Sequence, residues 1–178
     1  MRADARRNHD SVLEAGARLL AERPAASMQE IADASGVGRT TVYRHFPARE
    51  DLVAALVARV AEEVTAVSAG ALAIDRPAED VLRRLSYDLV ALGRRWHFLR
   101  DQREDLRASL TESDRAFHEW VTRAQERGEI RDDWSADWVL AVTRGLVTEA
   151  IVEAEGMGAE RCGQLLSETL ISALAPPP

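Results

Sequence analysis

Apolar residues recur at helical spacing along almost the whole of this 178-residue chain, and no stretch alternates apolar and polar positions as a half-buried strand would. Val12, Leu13, Ala17, Leu19 and Leu20 put an apolar face on a first helix from about Asp4 to Arg23. Ser27 and Glu30 then form an S-x-x-E capping box, in which the hydroxyl accepts the amide three residues on and the carboxylate reaches back to the cap amide. A second helix is therefore expected from about Met28 to Ser35, with Ile31, Ala32 and Ala34 as its apolar face. Gly36 follows where a left-handed C-terminal cap favours a residue without a Cβ. From Arg39 a third helix turns Val42 and Phe46, four residues apart, to one face, and Pro47 stops it. A long helix from Glu50 to Ala69 repeats Leu52, Leu56, Val60, Val64 and Val67, and Gly70 with Asp75-Arg76-Pro77 marks a boundary after it.

The rest of the chain divides at Gly93, at Thr111 with Asp114 in a second capping pattern, at Gly128 to Asp133, and at Gly156-Met157-Gly158. Its last two helices are expected from about Ser135 to Glu155, with Trp138, Val142, Gly145, Leu146 and Ile151, and from about Ala159 to Leu174, with Cys162, Leu165, Leu166, Leu170 and Ala173. Each has an apolar stripe broader than one neighbour needs, which suits either an intrachain core or a second copy of the chain. The expected fold is all-α.

With Val42 and Phe46 inward, the third helix leaves Arg39, Thr40, Thr41, Tyr43, Arg44 and His45 pointing elsewhere. Polar residues opposite an apolar pair also mark an ordinary solvated helix, and arginine is the only basic residue type in the chain apart from histidine. The capping box, the glycine turn and the following Pro-Ala-Arg-Glu-Asp-Leu nevertheless fit one supersecondary unit, a helix-turn-helix of the kind that reads DNA.

Residues 12 to 56 resemble the N-terminal domain of the tetracycline-repressor (TetR) family of bacterial transcription regulators. The family's usual run is close to IA-x-x-AGVS-x-x-T-LY-x-HF-x-x-K-E-x-L, and here it stands as IADASGVGRTTVYRHFPAREDLV from Ile31 to Val53. Gly38 replaces the usual Ser at the cap of the recognition helix, Ser35 the common Ala, and Arg49 the common Lys. The link from Arg23 to Ser27, with Pro24, is about two residues shorter than the family's usual loop. The resemblance implies that Gln29, Arg39, Thr40 and Thr41 reach base edges, that Tyr43, His45 and Arg49 hold phosphates, and that Arg44 serves either role. Arginine suits guanine, glutamine suits adenine, and a threonine methyl suits that of thymine.

By the same resemblance the chain divides into a three-helix DNA-binding domain (1–49) and a helical effector-binding and dimerisation domain (50–178). The implied partners are a palindromic double-stranded operator, a second copy through the last two helices, and a small apolar effector. The dimer face would include Trp138, Val142, Gly145, Leu146, Leu166 and Leu170. Tyr87, Trp96, His97, Phe98, Phe117 and Trp120 concentrate most of the aromatics where such a regulator holds its effector. Plain core packing is the better account of each aromatic taken singly, and an interior or interfacial position the better account of His97. The expected function is a repressor released by its effector; the alternative is a helical ligand-binding or interaction module with a silent helix-turn-helix.

Charge refines this picture. The net charge is −7, with 23 Arg and no Lys. Residues 1–60 hold nine Arg against eight Asp and Glu, while residues 61–178 hold fourteen against twenty-two, so the acidity lies behind the reading head. Arg2, Arg6 and Arg7 form either a backbone-touching arm or a disordered tail. The Arg-only, Ala-rich usage suggests a GC-rich bacterial genome. Cys162 is the single cysteine, and no signal peptide or long apolar run is present, so a cytoplasmic protein is expected. His9, His45, His97 and His118 lack metal spacing and no phosphate loop occurs, so neither enzyme, metal nor cofactor is expected.

Overall fold

The computed structural model describes residues 2–73 and 76–177, with side chains from Asp4 onward. Among these the chain is helical: α1 (Arg2–Glu22), α2 (Met28–Ser35), α3 (Arg39–His45), α4 (Arg49–Leu72), α5 (Ala78–Arg95), a 3-10 helix (His97–Gln102), α6 (Arg103–Ser109), α7 (Thr111–Glu126), α8 (Ala136–Met157) and α9 (Ala159–Leu174). No strand occurs among the described residues. The chain packs as two compact units, one of residues up to Val60 with Phe98–Leu106, the other of Ala61–His97 with the residues from Arg107 on. A division at residues 49 and 50 falls at the start of α4, within the first unit.

The first unit is built on local chemistry. Both halves of the capping box form at Ser27, and Gly36 closes α2 at φ 68°, a conformation that favours glycine. Met28, Ile31 and Ala32 are buried, one helical turn apart, whereas Ala34 is exposed because it lies two positions past Ala32 and turns away from it. Val42 and Phe46 point inward as their spacing requires, and they meet a core that includes Val12, Leu20, Ile31, Leu52 and Leu56. Burying each such aliphatic side chain contributes about 1.5–3 kcal/mol.

The second unit holds two apolar clusters. One brings Leu82 and Leu85 of α5, Phe117, Trp120 and Val121 of α7, and Val139 of α8 together with Leu174. The other joins Val90, Ala154, Cys162, Leu166 and Leu170. The loop between α7 and α8 ties helix ends together: Glu129 accepts the amide of Ala78 (3.0 Å) at the start of α5, and Arg131 donates from its amide to Leu174 O (2.8 Å) and from its side chain to Ala173 O (3.2 Å) at the end of α9.

Four sequence expectations are corrected. Gly70 is not a break, since α4 runs through it to Leu72; Asp75 of the expected boundary lies outside the described residues. Gly93 lies inside α5, where a Cβ would sit 2.3 Å from Ile151 Cδ1, so its role is to let α8 approach. The Thr111–Asp114 capping pattern does not form: Leu110 precedes the first turn without a side-chain cap, and Asp114 instead accepts from Arg144 at 2.7 Å. Finally, the stretch expected to be helical between divisions at Gly93 and Thr111 holds two short elements after α5, the 3-10 helix and α6.

Candidate nucleic-acid interface

In α3 the residues Arg39, Thr40, Tyr43 and Arg44 are exposed, while Thr41 and His45 are half-buried. The helix owes this display to Val42, which is fully buried, and to Phe46 at its end, whose amide bonds back to Val42 O. Gly38 offers no side-chain oxygen, so α3 starts on backbone bonds alone, with the amides of Thr41 and Val42 donating to Gly38 O at 2.8 and 3.1 Å. The Arg39 guanidinium lies 5.6 Å from the centre of the Tyr43 ring, a cation–π approach that holds both side chains on the outer face.

The turn is secured from two sides. Ser35, where the family has Ala, donates to Ala32 O (2.8 Å) and accepts the amide of Val37 (3.1 Å). At the other end of α2, one carboxylate oxygen of Glu30 takes the amide and the hydroxyl of Ser27 at 2.8 and 2.9 Å, and the other takes Arg23 at 2.8 Å. These donors, the Ser27 amide foremost, hold the Glu30 carboxyl below its ordinary range.

The remaining expected DNA contacts are differently placed. Gln29 spends its side-chain amide on Asp33 at 2.8 Å, and its Oε1 is buried without a partner. His45 packs its ring 5.8 Å from His9 and 6.3 Å from Phe46, with Nε2 buried and unpartnered. Arg49 turns inward, donating to the carbonyls of Pro24 (2.6 Å) and Ala26. In the arm, Arg6 and Arg7 are exposed, Arg7 pairs with Asp4, and the Arg2 side chain lies outside the described ones. Arg49 and Ser35 are the positions where sequence reasoning missed an intramolecular role, and in both the departure from the family's usual residue was the available signal.

The six residues of the aromatic region separate. Phe117 and Trp120 pack on each other, ring centres 5.5 Å apart, inside the first apolar cluster of the second unit. Trp96 is buried as well, its indole donating to Glu63 at 3.1 Å while Arg95 covers the ring at 5.3 Å. Tyr87 lies against Gly163, His97 pairs with the Arg94 carbonyl at 3.0 Å, and Phe98 belongs to the first unit.

On the candidate dimer face Trp138 is 56% exposed, Gly145 is exposed, and Val142 and Leu146 are half-buried. Leu166 and Leu170 are corrected: at 4% and 2% exposure they are closed into the second cluster of their own chain and are not free for a partner. Among the described residues no group of three His, Cys, Asp or Glu is placed to hold a metal ion, and no helix is long and apolar enough to cross a membrane.

Residues 12–56 match the family of bacterial regulatory proteins, tetR family. Over 87 residues the chain is 37% identical to the HTH-type transcriptional repressor LfrR of Mycolicibacterium smegmatis, covering 49% of this chain and 46% of the relative. The matched stretch thus spans about half the length of that relative. The crystal structure of the TetR-like transcriptional regulator LfrR from Mycobacterium smegmatis in complex with proflavine shares the fold over 95% of this chain and 97% of its own, with a TM-score of 0.73 and 27% identity. The fatty acid degradation regulator FadR from Bacillus halodurans matches in fold over 94% of this chain and 96% of its own, with a TM-score of 0.77 and 17% identity.

Proposed function

We propose that this chain, whose residues 12–56 match the tetR family of bacterial regulatory proteins, is a sequence-specific DNA-binding transcriptional repressor working as a homodimer. The observation that carries the reading is α3 itself, an exposed set of Arg39, Thr40, Tyr43 and Arg44 on a helix fixed from below by buried Val42 and Phe46. Arg39 at the first turn takes a guanine edge, the Thr40 and Thr41 methyls meet thymine, and Tyr43 and Arg44 face the backbone.

A second copy docks on α8, where Trp138, Ala141, Gly145, Glu149 and Val152 are exposed at helical spacing. Two-fold symmetry then presents two α3 helices to half-sites about one helical turn apart. The relative solved with proflavine supports a small, largely apolar effector bound in the helical body. That effector acts by favouring a dimer whose heads no longer match successive major grooves, transmitted along α4, and a near-complete switch needs about 10⁴-fold preference for that state.

Selection from a random duplex pool tests the reading. It is expected to enrich a palindrome with half-sites about 10 base pairs apart; enrichment of no sequence, or only of an unpaired half-site, would overturn it. Effector release is tested by titrating acridine-type cations and other small aromatics into the protein–duplex complex, and tight binding that leaves duplex affinity unchanged would refute the coupling.

A further inference from the structure

We propose that Arg49 is a positioning residue of the reading head and not a phosphate contact: its guanidinium clamps the carbonyls of Pro24 and Ala26 and so sets where α2 begins. This rests on the DNA-reading role above and deepens it, because α2 carries Gln29 and packs beneath α3.

Arg49 opens α4, 23 and 25 positions from the carbonyls it holds. Nη2 donates to Pro24 O at 2.6 Å and Nη1 donates to Ala26 O, so both terminal nitrogens of one planar group are engaged within the chain. Ala26 is only 3% exposed and directly precedes the N-cap Ser27, so holding its carbonyl fixes the cap. The five-residue link between α1 and α2 is closed from its other side as well: the Ala26 amide donates to Arg23 O at 2.9 Å and Arg23 pairs with Glu30 at 2.8 Å. A link this short has little slack to seat its own carbonyls, and the guanidinium supplies donors from the neighbouring helix.

The chemistry also accounts for Arg at a position where the family's common residue is Lys. Two carbonyls on separate residues are met by the two arms of a rigid planar fork, whereas an ammonium is a single point charge on a flexible stem. Losing the fork leaves the Ala26 carbonyl without its donor and frees the entry to α2.

The test uses full-length Arg49→Gln and Arg49→Lys. The first readout is hydrogen exchange in the free protein at the amides of Ala26, Ser27, Glu30 and Ile31, each of which is hydrogen-bonded. The clamp predicts faster exchange at these amides in both variants, and exchange unchanged from wild type would overturn it whatever the protein does with DNA. The second readout is affinity against salt for a 30-base-pair duplex enriched from a random pool by the wild type. The clamp predicts about tenfold weaker binding by Arg49→Gln with the slope of log K on log salt unchanged. A phosphate contact instead predicts a slope shallower by about 0.9 for each Arg49 engaged, with Arg49→Lys close to wild type. Should Arg49→Gln fail to fold, Arg49→Lys decides by exchange, which the clamp predicts to be faster at these amides and a phosphate contact predicts to be unchanged. Should the wild type bind no duplex, the regulator reading fails and the exchange data alone still judge the clamp.

Discussion

If the chain reads DNA as proposed, Arg39 is the residue on which that reading turns most directly. It stands at the first turn of α3, exposed, and braced over Tyr43. Replacing it with Ala should cost about 1–3 kcal/mol of operator affinity and relax preference at one base pair. Competition binding against single-base operator variants checks this, and a uniform loss at every base would instead mark Arg39 as a backbone contact. On the same reading Gln29 and His45 would contribute less directly in this conformation, since the Gln29 amide is turned to Asp33 and His45 Nε2 is buried beside the His9 ring.

Local signals explain which elements were legible in the sequence. Ser27, Glu30, Gly36 and Pro47 each act within a few residues of themselves, so α2, α3 and their turn appear where the sequence places them. Where a distant partner decides, the sequence misleads. Gly93 reads as a break, yet it lies within a helix because Ile151 occupies the space of a Cβ. Asp114 reads as half of a cap, yet Arg144 from another helix claims it. Leu166 and Leu170 read as a broad stripe, and spacing alone does not say whether their own chain or a second copy covers them.

Gly93→Ala should therefore destabilise by about 1–3 kcal/mol in spite of alanine's better helix propensity, because three atoms of Ile151 lie within 3 Å of the new Cβ. Denaturant unfolding measures it, and a gain in stability would refute the close packing.

The Glu129 bond to the start of α5 belongs to this scale too. Its carboxyl is held below the ordinary 4.5, first by Arg127 and also by the Ala78 amide. A lowered carboxylate stabilises the fold above its ordinary value and loses that contribution as pH falls through the lowered one. Glu129→Gln should consequently be less stable than wild type at neutral pH, with the gap closing as pH falls through the lowered value of Glu129. Thermal unfolding across that window gives the answer; a gap independent of pH would mean that charge at Glu129 contributes nothing.

Residues 61–178 are acidic while residues 1–60 are nearly neutral, a distribution that disfavours indiscriminate binding to DNA and leaves affinity to a few placed contacts. In the proposed homodimer such contacts come in pairs, and the exposed α8 stripe is the face proposed to join the two copies. Trp138→Glu, at a position 56% exposed within one chain, should leave the fold intact and shift the protein toward monomer. Sedimentation velocity reads this directly, and an unchanged dimer would place the interface elsewhere. Fluorescence anisotropy decides whether this chain recognises a DNA sequence. A labelled duplex from upstream of its own gene would be titrated over a range of salt concentrations, against a scrambled duplex of equal composition. Saturable binding that prefers the upstream duplex and weakens steadily with salt is the expected result. Equal affinity for both duplexes at every salt concentration, together with no sequence enriched from a random pool, would contradict it.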